Sequence, residues 1–323
     1  MANAQEEIKR KEIGSSTQLP LVTINILSFN RATELRNTLR HIFAQSYKNI
    51  EVIVVDNASS DNTVEIVSQE YPAVKLIPRT KNVGISGWND GFRIAHGDYI
   101  LVLDDDSYPE CNSIVTGVKT MMQFPEVGII SYNIFSTLLK RSETSKFRSE
   151  NPFLFQGCGA LFRKETIFRV GYYDELFFIY YNEIDYTIRC YEQQIRVRYL
   201  DECRIIHTQT PLARTSGPNG DPYTSETAYR HYFIGHLIFL VKHFDTAFAL
   251  TFGLKWILNR MIILFKYRYF QAFFSVLVQL PRVVLAASKK RKPVRRSIQQ
   301  YYAYGNKPLV DRFFYPNFRK PFA

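Results

Sequence analysis

Cysteine is scarce in this chain, and its spacing suits no redox or metal motif. The 4 cysteines, Cys111, Cys158, Cys190 and Cys203, form no Cys-x-x-Cys pair, which excludes a zinc knuckle or a dithiol centre and leaves reduced, buried thiols as the expectation. A Gly-x-Gly-x-x-Gly turn is also missing after the early strand-like runs. The glycines of NVGISGWNDG (82–91) are too widely spaced for it, so a dinucleotide-dependent oxidoreductase is disfavoured. The N-terminus, MANAQEEIKRKEIGSSTQLP, lacks the apolar centre of a signal peptide, and a cytosolic catalytic domain is expected. Acidic residues nearly vanish from the C-terminal part. From Val241 onward 16 Lys or Arg face only Asp245 and Asp311, whereas residues 1–240 carry 25 basic and 28 acidic residues. The formal net charge of +11 therefore belongs to a tail and not to the body, which weakens the case for nucleic-acid binding.

With 46% hydrophobic and 22% charged residues over 323 positions, the chain is long and apolar enough for a large core. LVTINILS (21–28) and EVIVV (51–55) read as strands, and the second is apolar throughout, as a strand covered on both faces must be. Leu35, Leu39 and Ile42 give helical spacing after the first, and 63–69 and 85–95 read as further helices, with strands at 74–77 and 99–103. Strand, polar loop and helix recur through the first hundred residues, the cadence of an α/β protein with an open, mostly parallel sheet flanked by helices. More strands are expected at 128–134, 153–162 and 195–206, a helix at 183–193, and exposed polar loops at 140–151 and 210–225.

The tail differs in kind. Apolar stretches at 229–243, 248–265 and 270–287 are broken by Lys255, Arg260, Lys266, Arg268 and Arg282 and run into KKRKPVRR (289–296). Amphipathic helices lying on an anionic membrane surface account for this pattern, and a helical subdomain with a solvated basic face is the alternative.

Ligands of such sheets bind at the carboxyl ends of the strands. Three of those ends carry Asn30-Arg31, Asp56-Asn57 and Asp104-Asp105-Asp106. Adjacent carboxylates repel, so the triple needs solvent, basic partners or a hard divalent cation with oxygen ligands. Asp56 can accept hydrogen bonds from a base or ribose, while Ser59 and Asp61 suit helix capping. Glu183 and Asp185, two apart at a helix start, cannot share a face.

The ordered fragments TINILSFNR (23–31), EVIVVDNASSDNT (51–63), KNVGISGWNDG (81–91), DYILVLDDDSYP (98–109) and FFIYYNEIDYTIR (177–189) resemble the family 2 inverting glycosyltransferases of the GT-A fold, of the bacterial cell-surface glycan type. The likeness runs through about residues 21–240. It implies that Asp56 recognises the base and that Phe29, Asn30 and Arg31 line the nucleotide pocket. Asp104 and Asp106 would be the two carboxylates of the D-x-D motif, Asp106 the more direct metal ligand, with Asp105 counted at the donor site. Asn82, Gly84 and Asn89 would fall near the donor, and His207 would complete the metal or diphosphate shell. Gly157-Cys158-Gly159-Ala160 resembles a small-residue stretch facing donor sugar and acceptor. The chain departs from the family in Asn182-Glu183-Ile184-Asp185, with Asn182 at the first acidic position and Glu183 where the catalytic aspartate often sits; either Glu183 or Asp185 would be the base.

The implied activity is transfer of a sugar from a UDP- or dTDP-sugar, with Mn²⁺ or Mg²⁺, onto a hydroxyl of a glycan or lipid-linked acceptor, by an enzyme peripheral on the inner face of the cell membrane. The expected layout is a flexible segment (1–20), a catalytic domain (21–227, donor half 21–110 and acceptor half 111–227), and a basic, aromatic-rich helical tail (228–323). A metal-dependent nucleotidyltransferase and a non-enzymatic module binding polyanions through KKRKPVRR are the alternatives.

Overall fold

The computed structural model describes residues 19–144, 155–208 and 225–302. The expected N-terminal segment, most of the 210–225 loop and the end of the tail lie outside the described residues. One 9-stranded sheet organises the chain: β1 (Val22–Ser28), β2 (Ile50–Asp56), β3 (Lys75–Pro78), β4 (Tyr99–Asp104), β5 (Ser107–Pro109), β6 (Val127–Ser136), β7 (Arg141–Ser142), β8 (Ala160–Arg163) and β9 (Arg196–His207). Their order is β3-β2-β1-β4-β8-β6-β9-β5, with β7 beside β6.

The expectation of a mostly parallel, open sheet holds for only half of it. β3, β2, β1 and β4 are parallel neighbours, but β8 runs antiparallel between β4 and β6, β9 is parallel to β6, and β5 is antiparallel to β9. The sheet is strongly curled, not simply open. β5 was not anticipated, because three residues directly after an acidic strand end carry no periodicity. The strand expected at 153–162 is confined to 160–163, preceded by a 3₁₀ turn at Gly157–Gly159, where small residues replace alternating apolar ones.

Helices α1 (Ala32–Phe43), α2 (Thr63–Glu70) and α4 (Ser113–Gln123) cover one face, and α3 (Trp88–Ile94), α5 (Lys164–Val170) and α6 (Asn182–Glu192) the other. Period-two alternation makes this possible: Val52 and Val54 of β2 join the first core, with Leu35, Leu39 and Ile42, while Ile53 and Val55 join the second, with Trp88, Tyr186 and Ile188. All these side chains are buried.

The tail folds as α7 (Glu226–His243), α8 (Thr246–Tyr267), α9 (Phe270–Lys289) and a short α10 (Arg296–Gln300). Ile238, Phe239 and Leu240 of α7 enter the second core, and Tyr229 and Phe233 build a separate cluster with Trp256, Leu264, Ala272 and Val276. α7 is thus buried between the sheet layer and the outer helices, whereas α8 and α9 keep broad apolar faces in the open. Among the described residues, α9 is the one helix long and apolar enough to cross a membrane, with mean hydropathy 1.6, and Arg282 interrupts it.

Candidate active site

The parallel strands stop at one rim. Asp56 ends β2 and Asp104 ends β4, aligned with Ser28 and Leu27 at the end of β1 between them. Asp56 is buried; its Oδ2 accepts from the Ser59 N–H at 3.0 Å, and its Oδ1 has no partner among the described residues. A buried carboxylate oxygen is costly to leave without a donor, so this atom is one to which a ligand N–H or O–H could donate. Asn30, at φ 54°, donates its N–H to Ser59 Oγ and accepts the Ser60 N–H, which ties the ends of β1 and β2 together. Asp61 caps across this gap by accepting from the Ala32 N–H at 3.1 Å.

The next turn is braced from inside. Asn57 donates to Asn82 Oδ1 and the Gly84 carbonyl and accepts from the Val83 N–H, while Asn82 Oδ1 also accepts from the Gly84 N–H. Gly84 has φ +65°, and a Cβ there would come within 1.9 Å of the Phe178 carbonyl oxygen, which accepts from the Ile85 N–H at 2.9 Å. Only glycine fits that position. Asn89 lies elsewhere: it is buried and exchanges both amide groups with the backbone of Tyr173, at 2.9 and 3.0 Å, so it fastens α3 to the loop before α6. Trp88 is equally buried, donating to the Leu103 carbonyl.

At the acidic triple, Arg31 Nη1 lies 3.2 Å from Asp105 Oδ1 and 2.6 Å from Asp106 Oδ2, and the exposed Phe29 donates its N–H to Asp105 Oδ2 at 3.1 Å. Burial pushes the Asp105 carboxyl up to about 8, and Asp106 and Asp104 push the same way against the pull of Arg31. Three carboxylates around one guanidinium leave surplus negative charge.

His207 is brought to this cluster by strand pairing: it sits opposite Ser107 in the β5–β9 ladder and opposite Ser136 in the β6–β9 ladder. Its Nε2 is 3.1 Å from Asp106 Oδ1, and its Nδ1 is 2.8 Å from Glu143 Oε2. Burial alone would depress the imidazole, but the two carboxylates outweigh it and raise it to about 9. Asp104, Cys158 and His207 each offer a ligand atom, all within 4.8 Å of one another. The carboxylate of that set suits a hard divalent ion such as Mn²⁺ or Mg²⁺, the thiol is a softer donor than either prefers, and Glu143 behind His207 is the outer partner that a ligating imidazole needs. Asp106, expected as the more direct ligand, instead has one oxygen on Arg31 and the other facing His207.

Glu183 and Asp185 part company. Glu183 is half-buried at the start of α6; its carboxylate accepts from the Gly157 N–H, and a Cβ on Gly157 would lie 3.1 Å from its Oε1. Burial pushes it up to about 7. Asp185 is fully buried on the other side of the helix, with Lys242 Nζ at 2.5 Å and His243 Nε2 at 2.7 Å from Oδ1 and Arg189 Nε at 3.0 Å from Oδ2. Burial opposes its ionisation, yet Arg189, Lys242 and His243 together hold it well below the usual carboxylate range. The structure therefore places Glu183 at the rim and Asp185 in an ion network that locks α6 to α7.

Glu143 and Cys158 were not identified as site residues from sequence. Glu143 falls in the stretch read as an exposed loop, but the β6–β7 hairpin folds it inward; Cys158 was expected as a reduced, buried thiol within a small-residue run.

Residues 23–177 match the family model described as glycosyl transferase family 2. Over those residues the chain is similar to that family. Poly-beta-1,6-N-acetyl-D-glucosamine synthase of Staphylococcus aureus is 23% identical over 176 residues, 49% of this chain but 43% of the relative, so the chain spans less than half the length of that protein. Among solved structures, the mannosyltransferase PcManGT from Pyrobaculum calidifontis, in complex with GDP-Man and Mn²⁺, superposes with TM-score 0.56 at 18% identity, covering 91% of this chain and 78% of that one. Staphylococcus aureus TarS in complex with UDP-GlcNAc gives TM-score 0.52 at 16% identity over 88% and 92%. At these identities the likeness is one of fold, a curled sheet flanked by helices as in GT-A enzymes.

Proposed function

We propose that the chain is an inverting glycosyltransferase that moves a sugar from a nucleotide-diphosphate donor, a UDP- or dTDP-sugar, to a hydroxyl of a glycan or lipid-linked acceptor. One observation carries the reading: the Gly157–Gly159 turn touches both halves of the chemistry. Its first N–H holds the Glu183 carboxylate, and its Cys158 completes the donor set with Asp104 and His207. A candidate base and a candidate cation site thus share one rigid turn beside the strand ends.

In this reading the open Asp56 oxygen accepts from the N–H of a uracil or thymine ring, and the turn at Asn82 and Gly84 shapes the donor pocket beside it. Asp104 and His207, with Cys158 beside them, would hold a divalent ion, Mn²⁺ or Mg²⁺, which would offset the charge growing on the departing diphosphate. Arg31 adds a fixed positive charge to the same edge. Glu183 takes the proton of the acceptor hydroxyl as its oxygen attacks the anomeric carbon from the face opposite the leaving group, so the configuration inverts. Residues 21–110 serve as the donor half and 111–227 as the acceptor half. The tail lies against an anionic membrane surface, supported by its basic excess and by the open apolar faces of α8 and α9.

The test is calorimetric titration of UDP-, dTDP- and GDP-sugars with and without Mn²⁺. The reading expects metal-dependent binding that Asp56→Ala removes; no binding of any nucleotide sugar with Mn²⁺ present would end it.

A further inference from the structure

We infer that the groove between α7 and α9, closed at one end by the Leu176–Phe178 loop, is a binding site for a phosphate-bearing lipid, with the phosphate at Arg230 and Arg282 and the hydrocarbon chain along the apolar wall. As the acceptor's seat, the groove rests on the glycosyl-transfer reading; as a lipid-phosphate site, it does not.

The cavity encloses about 390 Å³. Its wall is apolar, from Phe178, Ile234, Ile238 and Val283, and its cationic groups are Arg230 on α7 and Arg282 on α9. Neither arginine has a carboxylate partner among the described residues. His231 stacks on Phe178, ring centroids 5.0 Å apart, and adds a polar ring at the same mouth. Two guanidinium groups beside an apolar trough, with no carboxylate paired to them among the described residues, suit a ligand that is anionic at one end and greasy along its length. A larger cavity of about 840 Å³ also holds many cations, but Lys242 and Lys290 there are already paired with Asp174 and Asp185, and Asp174, Glu175 and Glu192 line its own wall, where an anionic ligand would meet like charge.

Two neighbours of the groove support the assignment. On α9, Gln279, Arg282, Val283 and Ala286 line it at helical spacing, while the adjoining face presents Phe274, Val278 and Leu285 to the outside, Val278 with 82% of its surface exposed. A lipid leaving a bilayer in contact with that face reaches the groove without crossing water. The loop that closes the groove continues through Tyr180 and Tyr181, both in the left-handed region, into Glu183, and the Phe178 carbonyl also braces the donor turn at Gly84 and Ile85. A headgroup bound there is delivered toward the rim.

The experiment titrates the full chain with farnesyl phosphate, farnesol and inorganic phosphate by calorimetry, and with a UDP-sugar plus Mn²⁺ on the same preparations. Saturable binding of farnesyl phosphate is expected, weakened about tenfold by each of Arg230→Ala and Arg282→Ala. Ala286→Trp, which fills the trough, should remove it, and farnesol and inorganic phosphate should each bind at least about tenfold more weakly. Equal binding to the arginine variants, equal binding of farnesol, or full competition by inorganic phosphate would overturn the proposal. Lipid binding without nucleotide-sugar binding would sink the transferase reading and leave this site standing, and the reverse result would do the opposite.

Discussion

Two buried charge clusters flank helix α6, and they are balanced in opposite ways. At the rim, Asp105 and Asp106 share the Arg31 guanidinium with Asp104 close by, and Glu183 is raised to about 7. On the inner side, Asp185 meets Arg189, Lys242 and His243 and is held ionised. The first cluster is short of positive charge and the second has ample. Two acidic residues one helical step from sharing a face thus end with opposite proton affinities, because one faces a site built for a ligand and the other a site completed by the chain itself.

The comparison breaks most visibly at turnover. Glu183→Gln should lower the turnover number by about 10²- to 10⁴-fold with donor affinity nearly unchanged. Below about pH 7 the wild-type rate should fall in proportion to the ionised fraction of Glu183. Turnover that survives the substitution, or a flat profile from pH 5 to 8, removes Glu183 from the base role.

Asp185→Asn should act on folding instead. It leaves Arg189 and His243 without their carboxylate and Lys242 with Asp174 alone, and should cost about 3–5 kcal/mol in a urea titration, while activity per folded molecule is kept. A stable but inactive Asp185→Asn protein would invert the assignment of the two carboxylates.

A smaller effect sharpens the account of the rim. Glu143→Gln, which loosens the hold on His207 Nδ1, should weaken Mn²⁺ binding by about 10- to 100-fold as followed by electron paramagnetic resonance, and a zero effect would detach Glu143 from the cation site.

The smallest effect concerns stability against pH. The folded value of Glu183 lies above the usual carboxylate range, so the protonated form is favoured by folding, and that advantage is lost as pH rises through about 7. Glu183→Gln, neutral throughout, should therefore be more stable than wild type at pH 8 by about 1–3 kcal/mol and no more stable at pH 4. Thermal unfolding at the two values checks this. Equal shifts at both would show that burial of the carboxylate is not the cause.

Much of the rim was legible in advance, since an apolar strand followed by Asp56, or by Asp104 through Asp106, announces a carboxylate at a strand end whatever the later chain does. Asn82 and Gly84 belong to the same kind of signal, because a turn directly after a strand is local. The curled, mixed second half of the sheet was less legible. β8 and β9 take their directions from pairing with β4 and β6, and no periodicity within them states which neighbour they will find. Asn89 is instructive: it stands in the right motif, yet its amide is spent on the Tyr173 backbone.

By itself, then, the amino-acid order determined the strands and helices of the parallel half, the acidic strand ends and the contrast between a near-neutral body and a basic, apolar tail. All of these depend on contacts within a few residues or on composition. Tertiary structure alone decided which carboxylate is poised and which is locked, that Glu143 and Cys158 join the rim, and that Arg230 and Arg282 face a common trough. The reason is electrostatic: a buried charge takes its proton affinity from whatever stands within a few ångströms, and for Asp185 and His207 those neighbours are 57 and 64 positions away in the chain.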